Sequence, residues 1–100
     1  MSEMKRKSGS FEVSGGSGNI TINGVYIKSG YVGVKGPSNS ASFEVIVEDA
    51  DTDHQIQTMR SRTGDNGNAT AKAFQLPLYN ITIKVSEADE DGTYTYLLMG

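Results

Sequence analysis

Tyr79-Asn80-Ile81-Thr82-Ile83-Lys84-Val85-Ser86 changes character at every residue. Tyr79, Ile81, Ile83 and Val85 are apolar, and Asn80, Thr82, Lys84 and Ser86 are polar. Only an extended chain sends alternate side chains to opposite faces, so the stretch predicts a strand with one face on a core and the other toward water. Ser42 to Glu48 has the same rhythm: Phe43, Val45 and Val47 fall on one face and Ser42, Glu44 and Glu48 on the other, with Ile46 as the exception. Apolar residues at i, i+3, i+4 and i+7, the spacing a packed helix requires, are not sustained along any stretch.

Extending this reading outward predicts strands over 9–14, 19–23, 25–29, 31–35, 41–48, 54–60, 70–76 and 79–86, with a further one at 92–99. The breaks carry turn chemistry. Asn23-Gly24 suits a two-residue type I′ turn, which needs positive φ. Gly36-Pro37-Ser38-Asn39 and Asp65-Asn66-Gly67-Asn68 are turn clusters, and Pro77 lacks the N–H that a ladder needs. Short strands at regular spacing predict an all-β fold, an antiparallel β-sandwich or small barrel of about eight strands, immunoglobulin-like or jelly-roll-like. Two tetrapeptides echo one another, Ser10–Val13 with Ser42–Val45 and Asn19–Ile22 with Asn80–Ile83, at spacings unlike those of a tandem repeat.

The chain has 100 residues and a net charge of −3, enough for one domain. With no Cys, it has no disulfides, thiolate metal sites or thiol nucleophiles. Met1 to Lys7 is basic but leads into Ser8 to Ser10 rather than an apolar run, so no secretory signal is expected and synthesis in the cytoplasm is. Apolar runs such as Leu97-Leu98-Met99 are far too short to span a bilayer, so no membrane partner is expected. Charge is uneven along the chain. Residues 1–40 hold five bases and two acids, whereas residues 41–100 hold four bases and ten acids. The organisation read from this is a flexible basic arm over 1–8 and a single sandwich domain over 9–100.

Residues that could carry chemistry are few. His54, the single His, follows Asp53 in an acidic turn, and no G-x-S-x-G elbow accompanies it, so no catalytic residue is assigned. Asp49, Asp51 and Asp53 open like a calcium loop, with oxygens at positions 1, 3 and 5. Position 6 is then His54 instead of Gly, and position 12 is Arg60 instead of Glu. They are weak calcium candidates that a second acidic turn, Glu87 to Asp91, could complete if it lay nearby. Otherwise no metal or cofactor is expected. Tyr26 and Tyr31 flank Lys28 and could stack on a sugar. Lys5, Arg6 and Lys7 could meet phosphates, but three bases on a net-acidic chain disfavour nucleic acid as the partner. They suit an acidic face of another subunit better. Leu97 and Met99 lie on the second face of the last strand, opposite Tyr94, Tyr96 and Leu98, and an apolar second face calls for cover. The expected partner-binding residues are therefore Lys5, Arg6, Lys7, Leu97 and Met99. Asn19-Ile20-Thr21, Asn68-Ala69-Thr70 and Asn80-Ile81-Thr82 match the glycosylation pattern and are read as sheet and turn residues.

Glu90-Asp91-Gly92-Thr93-Tyr94-Thr95-Tyr96 resembles the D-x-G-x-Y-x-C segment of immunoglobulin-like domains, with Glu for Asp and Tyr96 for Cys. The resemblance implies that the Tyr94 hydroxyl braces a corner. The whole chain is similar in style to small accessory proteins of tailed-phage virions, which are Cys-poor, Gly/Ser/Thr/Asn-rich β-sandwiches. Leu76-Pro77 and Gly92-Thr93-Tyr94 are the segments that carry this likeness. It implies a non-enzymatic decoration, cement or tail component located in the virion, associating with virion proteins or with itself in trimers or other symmetric sets. The alternative is a carbohydrate-binding or cell-surface adhesion module.

Overall fold

The computed structural model describes residues 6–25, 30–72 and 79–99. Eight strands form in them: β1 (Arg6–Val13), β2 (Gly18–Ile22), β3 (Tyr31–Lys35), β4 (Phe43–Asp49), β5 (His54–Ser61), β6 (Asn68–Lys72), β7 (Ile81–Ser86) and β8 (Gly92–Met99). They make two four-stranded sheets in the orders β1-β8-β3-β6 and β2-β7-β4-β5. Every neighbouring pair is antiparallel. Only β4 and β5 are both successive in the chain and adjacent in a sheet, so every other connection crosses between sheets. This interleaved order is that of the jelly roll, two Greek keys wrapped together, and not that of an immunoglobulin domain.

The predicted alternation places the core. Val45 and Val47 of β4, Ile81, Ile83 and Val85 of β7, and Ile22 of β2 face Phe11 and Val13 of β1, Val32 and Val34 of β3, and Tyr94, Tyr96 and Leu98 of β8. Each aliphatic side chain so buried contributes on the order of 1.5–3 kcal/mol. The last three residues of the echoed tetrapeptides pair in one ladder, Ile20, Thr21 and Ile22 opposite Ile83, Thr82 and Ile81, with Thr21 Oγ1 3.0 Å from Thr82 Oγ1. Ser61 is the one buried polar side chain among the described residues, and its hydroxyl donates to the Ala41 carbonyl at 3.1 Å.

Three local expectations change. β1 starts at Arg6, so the last residues of the expected arm are laddered, Arg6 opposite Met99 and Ser8 opposite Leu97. At Asn23-Gly24 only Gly24 has positive φ, 70°, whereas a type I′ turn needs it at both positions. Gly24 N–H instead donates to Asn80 Oδ1 at 2.9 Å and Val25 N–H to the Tyr79 carbonyl at 2.8 Å. With that bonding β7 begins only at Ile81, and Tyr79, expected inside, is 54% exposed. Residues 26–29 of the strand expected over 25–29 and the later part of that over 70–76 lie outside the described residues.

Candidate functional site

The face of the first sheet away from the core carries Arg6, Leu97 and Met99, three of the residues expected to bind a partner. Pleating sends Arg6, Ser8, Ser10 and Glu12 of β1 outward beside Met99, Leu97, Thr95 and Thr93 of β8, their register partners. On the other flank of β8, Met99 is opposite Tyr31, Leu97 opposite Gly33, and Thr95 opposite Lys35. Leu97, Met99 and Tyr31 are each half-buried. The Tyr31 ring lies over Gly33, where an added Cβ would stand 3.1 Å from the Tyr31 hydroxyl oxygen. Glycine at that position leaves room for the ring to lie along the sheet. A depression of about 220 Å3 follows, with Tyr31, Leu97, Lys35, Asn68, Thr70 and Thr95 in its lining.

Arg6 and Lys7 do not share a face. Arg6 shares the outer face with Met99, whereas Lys7, opposite the buried Leu98, projects to the other face and donates to the Asn23 carbonyl at 3.4 Å. Lys5 and Tyr26 lie outside the described residues.

The acidic turns have structural partners. In the β4–β5 turn, Asp49 Oδ1 accepts from Asp51 N–H at 3.0 Å and Asp49 Oδ2 from the Thr52 hydroxyl at 3.2 Å. Asp51 Oδ1 accepts from the Asn80 amide at 2.9 Å, and Asp53 holds a positive φ of 60°. His54 Nδ1 lies 2.8 Å from Thr52 Oγ1 in the same turn. The second acidic turn cannot complete a calcium site there, because it sits at the opposite end of β4. Asp89 Oδ1 accepts from Ser42 N–H, just before β4 begins, and Asp49 is the last residue of that strand. Among the described residues, no three His, Asp or Glu converge to hold a metal ion.

That second turn fastens neighbouring loops. Glu90 accepts from the Ser38 hydroxyl at 2.8 and 2.9 Å and from the Ser40 hydroxyl at 3.1 Å, and Asp91 accepts from Gly16 N–H at 3.3 Å. The Tyr94 hydroxyl donates to the Glu90 carbonyl at 2.7 Å, the corner brace that the sequence resemblance implies. Burial pushes the Tyr94 hydroxyl above its ordinary range, and the charges of Asp89, Glu90 and Asp91 add to the rise.

One titrating pair has no sequence signature. Glu87, at φ 51°, is raised above the usual carboxylate range by a hydrogen bond to Glu44 and by repulsion from its charge, with a smaller part from burial and an opposing pull from Arg62. The two residues are distant in sequence and meet because Glu44 is paired with Ser86 across the β4–β7 ladder. The folded chain thus holds this proton more tightly than the unfolded chain. The resulting stability is present below the unfolded carboxylate pKa and is lost as pH rises through the folded one. Glu87→Gln should raise the melting temperature at neutral pH, and the gain should vanish in acid, where both carboxyls are protonated. A gain of equal size in acid would show that charge repulsion is not its source.

No family model matches the chain, and no curated protein matches it. Five solved chains do match. One is the crystal structure of SPBc2 prophage-derived protein YomS, with a TM-score of 0.56 and 12% sequence identity over 100% of this chain and 97% of that one. At that identity the likeness is one of fold, an all-β arrangement followed from end to end.

Proposed function

We propose that this chain is a non-enzymatic structural protein of a larger assembly, a phage virion component of the capsid-decoration, cement or tail-accessory kind. It would be made in the host cytoplasm and bind neighbouring virion subunits or further copies of itself. The observation that carries this reading is the end-to-end fold likeness to a prophage-derived protein. The outer face of the first sheet supports it, because Leu97, Met99 and Tyr31 adjoin there, with Arg6 and Lys35 beside them. Each such contact is modest, and a particle that presents many equivalent sites multiplies it through avidity. Quantitative mass spectrometry of density-purified phage particles from the source genome tests the proposal. The expected result is this chain in fixed stoichiometry with the other particle proteins, and less of it incorporated when Leu97→Lys places a charge on the face. Absence from the particles would overturn the reading.

The depression over Gly33 favours a second reading, a carbohydrate-binding or adhesion module. A tyrosine ring lying along a sheet, with Asn68, Thr70, Thr95 and Lys35 around it, offers a stacking plane and polar groups suited to sugar hydroxyls. A glycan array would then show binding that Tyr31→Ala abolishes, and an array without hits removes this alternative.

A further inference from the structure

We infer that β1 pairs edge to edge with β1 of a second copy, antiparallel about a two-fold axis at Gly9, which joins the two outer sheets into one of eight strands. Four strands end the two sheets: β1 and β6 in the first, β2 and β5 in the second. β2 has five residues, and β6 has five among the described residues. β5 has eight, but its register with β4 shifts between Val47 and Glu48, leaving Ile56 unpaired, and such a bulge twists an edge away from further pairing. β1 also has eight residues, and its register with β8 is unbroken from Arg6 to Val13. Its first five residues are exposed, and it contains neither proline nor bulge. Among the described residues no strand pairs with its outer edge, which presents a row of backbone donors and acceptors.

Pleat and charge select the register. An axis between two residues would set an outward side chain opposite an inward one, so the axis passes through a residue. At Gly9 it places Arg6 opposite Glu12 of the second copy, and Glu12 opposite that copy's Arg6. Both pairs lie on the outer face, with Ser8 opposite Ser10 between them. An axis at Ser10 leaves both charges facing serines, and one at Ser8 sets Arg6 opposite Ser10 and carries Glu12 past the first residue of β1 in the second copy. Opposite charges directly across a strand pair attract, and here symmetry makes the attraction twice. Glu12 is already oriented along this face by the Thr93 hydroxyl, which donates to its Oε2 at 2.6 Å. Lys7 stays clear of the pair through its bond to the Asn23 carbonyl.

This contact goes beyond the virion reading and survives its failure, because it requires a dimer whether or not the chain enters a particle. The test is sedimentation of the full chain at low salt from micromolar to sub-millimolar concentration, with circular dichroism to confirm that each variant is folded. The wild type should dimerise reversibly. Arg6→Glu and Glu12→Arg should each weaken the dimer by about tenfold, since each turns two attractions into two repulsions, and the double variant should regain wild-type association. A wild type that stays monomeric throughout, single variants equal to wild type, or a double variant as weak as the singles would each overturn the inference.

Discussion

Tyr94→Ala should cost about 3–5 kcal/mol of unfolding free energy, a large share of the roughly 5–15 kcal/mol of a domain this size. Tyr94 is fully buried in the middle of the core. Its ring meets Phe43 edge-on at 5.0 Å and Phe11 at 6.2 Å, so truncation opens a cavity between the sheets. Tyr94→Phe keeps the rings and removes the bond to the Glu90 carbonyl, at an expected cost of about 1–2 kcal/mol. Urea denaturation separates the two effects, and equal midpoints for wild type and Tyr94→Phe would show that the brace contributes nothing. A pH profile adds a second signature. Because the hydroxyl is raised in the folded chain, stability should fall as pH climbs from the unfolded tyrosine value toward the folded one. Tyr94→Phe should flatten that alkaline loss.

Gly67→Ala should cost about 3 kcal/mol or more, because two penalties coincide. Gly67 has a φ of 73°, where side chains are strained, and an added Cβ would overlap the Ser38 carbonyl oxygen. Backbone cannot step aside there. The Gly67 carbonyl accepts from Gly36 N–H at 2.9 Å, and the preceding turn is fixed by Asp65, whose Oδ2 accepts from Arg62 N–H at 2.8 Å. Gly24→Ala is the control: φ is 70°, with nothing among the described residues within 4 Å of the added carbon, so only the conformational cost of about 1 kcal/mol applies. Thermal or urea midpoints that fall equally for both variants would show that the contact with Ser38 is not what makes Gly67 necessary.

The strands were legible wherever alternation was strong. Ile81, Ile83 and Val85 point inward as read, and Ile46, the exception in its strand, is half-buried on the outer face. Boundaries were less legible where bonding to distant residues sets them. Arg6 to Ser8 have no apolar side chain to mark a strand, and they become one because Leu97 to Met99 offer a ladder. Tyr79 continues the alternation on paper, yet its carbonyl is taken by Val25 and its neighbour Asn80 by Gly24 and Asp51, so the chain bends before β7. The site divides in the same way. Leu97 and Met99 could be assigned to an outward face from their parity alone. That Tyr31 lies beside them over Gly33, and that Arg6 and Lys7 part to opposite faces, depends on which strands become neighbours.

Side-chain order by itself determined that this protein is built of strands and which residues of β4, β7 and β8 face inward. Both follow from a period of two, which is local. Tertiary structure decided the jelly-roll order of the strands, the placement of the acidic turns at opposite ends of β4, the Glu44–Glu87 pair and the place of β1 at a sheet edge with which no described strand pairs. Each of these depends on which distant segments meet, and that is settled by burying the inward faces of eight strands together, since no single strand can choose its neighbour alone.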